Sequence, residues 1–266
     1  LTYNTNRVAA ESYPLNVAFI ASYCLKKFGS KVDITLFKYH EDLEKALDES
    51  PPDILGLSNY SWNANLSREM FKIFSKKNPN GLRVFGGPNF PLDLPSQQKF
   101  FDDFPYFDIY VPEDGEIGFS NIVEKALSLN ITEIKTKILQ DPVEGCIIRH
   151  NDGKLLYSLA VPRIKKLDEI SYPARDLFTN KFPILKNHGI KHFNAHRGCP
   201  HKCTYCFNHK YNEIYKDQAG DKKVLFSRTP ESIVEEILWL KKTEVVKMVN
   251  FVDDVFTIDK KWTLKF

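Results

Sequence analysis

Apolar residues in the first 130 positions recur with two different spacings. Spacings of three and four residues, typical of a helix with one buried face, alternate with short apolar runs typical of strands. The pattern predicts helices over 15–28, 41–47 and 66–77 and from Gly115 onward, and strands over 32–37, 53–58, 82–86 and 107–111. Strands that alternate with helices indicate a parallel α/β sheet. We therefore predict a doubly wound, Rossmann- or flavodoxin-like α/β domain over 1–130.

The loops that follow these strands contain candidate ligand-binding residues. Ligands of open α/β sheets bind at the carboxyl ends of the strands. The glycines, polar residues and aromatic residues found there are Ser58, Asn59, Tyr60, Trp62, Gly86, Gly87, Gly115 and Glu116. The same residue types also occur in ordinary turns, so the pattern alone does not distinguish a binding edge from plain connections.

The pattern changes after position 130. Two strand-like runs, 145–150 and 155–158, flank an Asp-Gly dipeptide and predict a hairpin within a connector over 131–190. Cys146 lies inside the first of these runs, so we predict a small core residue there and not a metal ligand.

The third region, 191–266, again alternates strands and helices. It contains a strand over 191–196, a helix that begins at Thr229 and Pro230, and a second strand over 246–252 that ends at Asp253 and Asp254. Threonine is a good helix cap and proline is tolerated in the first turn, so this helix start is well marked. A further helix is predicted from 260. The region therefore contains about two β/α units.

Composition narrows the class of protein. The 266 residues are 42% hydrophobic and 13% aromatic, with a net charge of +3 and no extended block of one charge sign. These values suit ordinary globular cores and give no reason to expect a nucleic-acid or membrane partner. No signal-peptide pattern is present, and five cysteines with no evident disulfide framework indicate a reducing compartment, so we expect a cytoplasmic protein. The chain starts without Met, and we expect both ends to continue.

The most specific motif is a run of cysteines in the third region. Cys199, Cys203 and Cys206 have the spacing C-x₃-C-x₂-C, directly after a predicted strand. Thiolates at short spacing hold zinc or an iron–sulfur centre. Structural zinc usually has four protein ligands, so a zinc site would need a histidine such as His196, His201 or His209. Three thiolates on a four-iron cluster would instead leave one iron open to a substrate or cofactor.

The motif, with Tyr205 as the aromatic residue before the last cysteine, resembles that of the radical S-adenosylmethionine (SAM) superfamily. The sequences His-Arg-Gly-Cys-Pro (196–200) and Cys-Thr-Tyr-Cys (203–206) resemble those of one branch of the superfamily. In that branch a cobalamin-binding domain precedes the radical SAM barrel. The resemblance implies that region 191–266 is the start of a partial (β/α) TIM-like barrel. It also implies a 4Fe-4S cluster on the three cysteines and reductive cleavage of SAM. Tyr205, Asp253 and Asp254 would then contact SAM.

The resemblance extends to the first domain. Three predicted strands are followed in turn by Ser58, by Gly86-Gly87-Pro88 and by Gly115-Glu116. This order resembles that of the cobalamin-binding domains of radical SAM enzymes. The Asp-x-His-x-x-Gly motif, whose histidine ligates cobalt in many cobalamin domains, is absent. Relatives frequently lack it, and Asn59, Tyr60 and Trp62 would then face the lower side of the cobalt. A domain that binds no cobalamin would also lack the motif.

We therefore expect a radical SAM enzyme that transfers a methyl group from cobalamin to an unactivated atom of a small molecule. Its electron donor would be a protein such as flavodoxin or ferredoxin. The alternatives are a methylthiotransferase-like enzyme, a ring-rearranging enzyme, and a module that binds cobalamin or a cluster without catalysis. Cys24 and Cys146 alone do not supply the second three-cysteine cluster of a methylthiotransferase.

Overall fold

A computed structural model describes residues 13–112, 114–158 and 160–266. The chain forms two compact units. Among the described residues, the first contains 27–33 and 37–161, and the second contains 13–26, 34–36 and 162–266. Most of the first helix, α1 (Leu15–Phe28), therefore belongs to the second unit. The predicted boundaries at 130 and 190 differ from the division at 161, and they stay a prediction.

The first unit is built on one mixed sheet. Its helices are α2 (His40–Glu49), α3 (Ala64–Lys77), α4 (Leu94–Asp103), α5 (Gly115–Leu127) and α6 (Ile134–Ile138). Its strands are β1 (Ile54–Ser58), β2 (Leu82–Gly86), β3 (Ile109–Val111), β4 (Ile147–Arg149) and β5 (Leu155–Tyr157). Within the described ranges the strands lie in the order of the chain. β1, β2 and β3 are parallel, whereas β4 and β5 are antiparallel additions.

Helices cover both faces of this sheet. On one face, Leu57, Phe85 and Tyr110 pack against residues of α2, α3 and α4. On the other face, Val84 and Ile109 pack against residues of α5 and α6. A strand whose alternate residues meet two apolar layers must be largely apolar, which is why β1 and β2 are mostly apolar, with Arg83 of β2 paired to Asp108. The predicted doubly wound α/β fold is confirmed.

The predicted hairpin forms and extends the sheet. β4 pairs with β3, and β5 pairs with β4. Cys146, at the start of β4, is 1% exposed and belongs to the apolar cluster of α5 and α6, as its strand position predicted. Burial raises the pKa of its thiol far above the usual range, so it stays protonated.

One predicted strand is wrong. Residues 32–37 are not in a strand, although the backbone at Val32 is extended, with φ −126° and ψ 138°. Their side chains alternate between exposed and half-buried positions, which explains the pattern in the sequence. The pattern predicts an extended backbone, but a strand also needs a pairing partner, and residues 34–36 are not part of the unit that contains the five-stranded sheet.

The second unit contains two short ladders. Its helices after α1 are α7 (Asp176–Thr179), α8 (Pro183–Asn187), α9 (Asn208–Ala219), α10 (Pro230–Leu240) and α11 (Lys260–Lys265). Its strands are β6 (Ile190–Phe193), β7 (His196–Arg197), β8 (Phe226–Ser227) and β9 (Met248–Phe251). β6 and β9 are parallel, with α10 between them in the chain, and β7 and β8 are antiparallel. This is the predicted pair of β/α units. Thr229 caps α10, and its hydroxyl accepts from the amide of Ser232.

None of the helices in the described ranges has both the length and the apolar character needed to cross a bilayer.

Candidate functional site

The cysteine loop connects β7 to α9, close to the carboxyl end of β6. It begins at Gly198, whose φ is +83°. A Cβ atom on Gly198 would lie 2.0 Å from the carbonyl oxygen of Val224, so the backbone of the loop passes directly against its neighbour. A residue with a side chain is strongly disfavoured at this position both by the φ angle and by this contact.

The three thiols of the loop are free and differ in exposure. Cys199 is buried, Cys206 is half-buried and Cys203 is exposed. The amide of Cys206 donates to the carbonyl of Cys203 at 3.1 Å, which closes a turn between the last two cysteines. Three free thiols on one loop, two of them accessible, are a donor set that fits an iron–sulfur cluster.

The structure does not gather these thiols into a metal site. Among the described residues, no group of three His, Cys, Asp or Glu side chains has the arrangement that holds a metal ion. This applies equally to a zinc site completed by a histidine. His196, for example, is buried, and its Nδ1 lies 2.8 Å from the hydroxyl of Ser227.

A buried arginine supports the start of the loop. Arg163 Nη1 donates to the side-chain oxygen of Asn212 at 2.9 Å and to the carbonyl of Val224 at 3.3 Å. Asn212 in turn donates to the carbonyl of Cys199 at 2.8 Å. This role of Arg163 was not predicted from the sequence. The available signal was weak: Arg163 occupies an inward position, two residues after the buried Val161, in an irregular segment.

Asp253 holds the backbone that leads into the cysteine loop. Its Oδ1 accepts from the amides of Ala195, at 2.9 Å, and His196, and from the side chain of Asn194 at 3.3 Å. Its Oδ2 is buried and has no hydrogen-bond partner among the described residues. Burial raises the pKa of this carboxyl group above the ordinary Asp value, and the amides that donate to it oppose the shift.

The other two residues predicted to contact SAM are exposed. The side chain of Tyr205 is 92% exposed, and Asp254 is exposed next to Asp253. Both are accessible to a ligand, whereas one oxygen of Asp253 is already engaged by the protein.

A buried ionic cluster stabilises the same unit. Glu236 of α10 pairs with Arg175 at 3.1 Å and with Arg228 at 2.5 Å. Arg175 also donates to the carbonyl of His192 in β6 at 2.6 Å. All three charged side chains are at most 6% exposed. The cluster joins α10 to β6 and therefore fixes the β/α unit that carries the cysteine loop.

In the first unit, the residues predicted at the strand ends form a connected edge. The amide of Asn59 donates to the carbonyl of Gly86 at 2.6 Å, and its side chain donates to the hydroxyl of Tyr110 at 3.0 Å. Tyr110 donates to the carbonyl of Gly87 at 2.6 Å. The Ser58 hydroxyl accepts from Asn63 at 2.8 Å. Asn59 is fully buried, so it organises the edge from below.

Aromatic rings form the accessible part of this edge. Tyr60 and Trp62 stack with 4.6 Å between ring centroids and 15° between planes, and Trp62 is 77% exposed. Gly115 begins α5, and the carboxylate of Glu116 is buried in its first turn. The structure therefore places Ser58, Asn59, Gly86 and Gly87 together, and leaves Trp62 as the exposed ring of the group.

A polar cleft of about 550 Å³ in the second unit is lined by other residues, among them Asp168, Tyr172 and Glu235. None of the predicted site residues lines it. The cleft is open and acidic, and the chemistry of the cysteine loop gives no reason to place the cofactors there.

Comparison with known proteins supports the assignment of the loop. Residues 193–265 match the family model described as the radical SAM superfamily. The chain is 26% identical over 258 residues to the anaerobic magnesium-protoporphyrin IX monomethyl ester cyclase of Cereibacter sphaeroides, a match that covers 94% of this chain and 39% of that protein. It is 27% identical over 158 residues to the cobalamin-dependent radical SAM methyltransferase TokK of Streptomyces tokunonensis, covering 58% of this chain and 22% of that protein.

The fold also has a solved counterpart. The cobalamin-dependent SAM radical enzyme OxsB, in a structure with aqua-cobalamin and SAM bound, aligns with a TM-score of 0.63 at 19% identity, covering 92% of this chain and 32% of OxsB. The chain thus spans less than half the length of these relatives. Residues 193–265 therefore resemble the radical SAM superfamily, and the fold of the chain resembles that of OxsB.

Proposed function

We propose that Cys199, Cys203 and Cys206 hold the 4Fe-4S cluster of a radical SAM enzyme that uses cobalamin. The observation that carries the proposal is the loop itself: three free thiols, anchored at Cys199 and accessible at Cys203, within the segment that matches the superfamily. When bound, such a cluster supplies the electron that cleaves SAM reductively, so that its 5′-deoxyadenosyl group takes a hydrogen atom from the substrate.

The residues around the loop can bind and orient SAM. The exposed ring of Tyr205 offers an apolar face for adenine, and the exposed carboxylate of Asp254 can pair with the amino group of SAM. Asp253 is better placed to hold the backbone, because its Oδ1 already accepts from residues 194–196. Its Oδ2 remains a hydrogen-bond acceptor for a ligand group.

The aromatic edge of the first unit suits cobalamin. The corrin ring is large and flat, and the exposed ring of Trp62 with the stacked Tyr60 offers a flat apolar surface at the carboxyl ends of parallel strands. The backbone at Gly87 packs closely against Asn59, since a Cβ atom on Gly87 would lie 2.7 Å from the carbonyl oxygen of Asn59, so this glycine lets the strand ends come together at the edge. The cobalamin-dependent relatives TokK and OxsB support this assignment.

The reaction we propose is methyl transfer from cobalamin to an unactivated atom of a small molecule, with a flavodoxin or ferredoxin as electron donor. Ring formation is a second candidate. It is favoured by the similarity to the Cereibacter cyclase, which extends over 94% of this chain. The residues described here hold cofactors, and the cofactors supply the chemistry of either reaction.

Anaerobic reconstitution of the full-length protein with iron, sulfide and hydroxocobalamin tests the proposal. After reduction in the presence of SAM, we expect 5′-deoxyadenosine from the wild type and from Cys24→Ala, and a loss of at least roughly 100-fold in Cys203→Ser, because the cluster would lack one of its three ligands. Accumulation of S-adenosylhomocysteine beside 5′-deoxyadenosine indicates methyl transfer, whereas 5′-deoxyadenosine alone favours ring formation. Wild-type yields from Cys203→Ser would contradict the cluster assignment.

A further inference from the structure

Arg163 lies outside the cysteine motif, yet its contacts converge on the start of the cysteine loop. Its side chain is buried, with the residue 8% exposed, and its guanidinium group lies 4.0 Å from the ring centroid of Tyr215 in α9. Its backbone amide donates to Asp221 at 2.8 Å. The arginine is therefore held on both sides, by a helix face and by a buried carboxylate.

Two hydrogen bonds connect this guanidinium group to the first cysteine. Arg163 Nη1 donates to the side-chain oxygen of Asn212, and the side-chain nitrogen of Asn212 donates to the carbonyl of Cys199. Nη1 also donates to the carbonyl of Val224, the group against which Gly198 packs. The Arg163 side chain thus contacts both Asn212 and Val224, the two groups that pack against the backbone of 198–199.

We propose that Arg163 and Asn212 are positioning residues that hold the backbone of Cys199 in place, so that its thiol is presented to the cluster. Cys199 is buried whereas Cys203 is exposed, so the protein encloses the first cysteine of the loop more firmly than the second. The role in cluster binding rests on the proposed function, but the effect of Arg163 and Asn212 on Cys199 can be measured in protein without a cluster.

The test is the alkylation rate of each cysteine in the full-length protein without iron, measured by mass spectrometry. Cys199 is buried, so its rate reports how often the start of the loop opens. In Asn212→Ala and Arg163→Met, we expect Cys199 to react at least roughly 10-fold faster than in wild type, which corresponds to about 1.4 kcal/mol of local stability. Cys203 is already exposed, and its rate should change by less than about 2-fold.

Two internal controls separate positioning from general loosening. Glu213→Ala changes the exposed neighbour of Asn212 and should leave the rate of Cys199 unchanged. Cys24, fully buried in the same unit, should keep its wild-type rate in every variant. If Arg163→Met does not fold, Asn212→Ala still breaks the connection to Cys199 and leaves Arg163 in place.

The outcomes distinguish this proposal from the proposed function. An unchanged Cys199 rate in Asn212→Ala, or equal acceleration of Cys199 and Cys24, overturns the positioning role. If Cys199 alone is accelerated, the positioning role stands even when reconstituted protein forms no 5′-deoxyadenosine. In a cluster-loaded protein, the same variants should lose iron to a chelator faster than Glu213→Ala does.

Discussion

Gly198 and Gly220 both have positive φ angles, +83° and +70°, but only Gly198 is tightly packed. A Cβ atom on Gly198 would overlap the carbonyl of Val224, whereas one on Gly220 would meet no atom within 4 Å. Substitutions at the two glycines therefore distinguish the free-energy cost of a positive φ angle, present at both, from the cost of the close contact, present at Gly198.

We expect Gly220→Ala to lower the free energy of unfolding by about 1–2 kcal/mol, the cost of a left-handed conformation for a residue with a Cβ atom. Gly198→Ala should cost about 1–3 kcal/mol more, because the backbone must also move away from Val224. Urea denaturation of both variants measures the difference. Equal losses in the two variants would show that the loop relaxes freely at Gly198.

At the scale of elements, the buried carboxylate of Glu236 connects α10 to β6 through Arg175. Glu236 serves two buried arginines, Arg175 and Arg228, while the preceding Glu235 points to solvent. Removing one partner of a buried ion pair leaves charge without compensation, which costs far more than the loss of an exposed charge.

Glu236→Gln should therefore lower the free energy of unfolding by about 3–5 kcal/mol, because two buried guanidinium groups lose their counter-charge. Glu235→Gln, the matched exposed change, should alter it by less than about 0.5 kcal/mol. Chemical denaturation of both variants is the measurement. A loss below about 1 kcal/mol in Glu236→Gln would mean that other groups neutralise the arginines.

At the scale of the whole molecule, the proposed cofactor sites lie in different compact units. The strand-end edge around Asn59 and Trp62, which we propose for cobalamin, belongs to the first unit, and the cysteine loop belongs to the second. A ligand that binds only the folded state stabilises it by about 2.7 kcal/mol at 100 times its Kd. Each cofactor should therefore protect its own unit most strongly.

In hydrogen exchange on the full-length protein, hydroxocobalamin should slow exchange in 54–126, by up to roughly 100-fold at saturating concentration. Cluster reconstitution should slow exchange mainly in 190–229. Trp62→Ala should reduce the cobalamin effect and the retained corrinoid absorption, because an exposed stacking ring is lost. Trp239→Ala, a change of a half-exposed tryptophan in the second unit, serves as the control. Cobalamin protection confined to 190–229 would contradict the assignment to the first unit.

The fold could be predicted from the sequence where the local hydrophobic pattern agrees with the burial found in the structure. β1 and β2 are largely apolar because helices cover both faces of their sheet, and the cap at Thr229 is found as predicted. Helix α9 was not predicted because its sequence is mostly polar and its apolar periodicity is weak. Helix α4 was also not predicted, although its start is marked by the Asp93 cap and a proline in the first turn. The alternation over 32–37 predicts an extended backbone correctly, but pairing depends on a partner that the pattern does not contain.

For the candidate site, the spacing of Cys199, Cys203 and Cys206 predicts the ligand set, because short-range spacing of thiols is a property of the chain itself. Only the tertiary structure decided which groups hold that loop. Arg163 and Asn212 are 49 positions apart, and Asp253 is 57 positions from His196, so neither contact has a local signature. Likewise, only the structure shows that Asn59 is buried beneath the strand ends and that Trp62 is exposed, because burial depends on how distant elements pack.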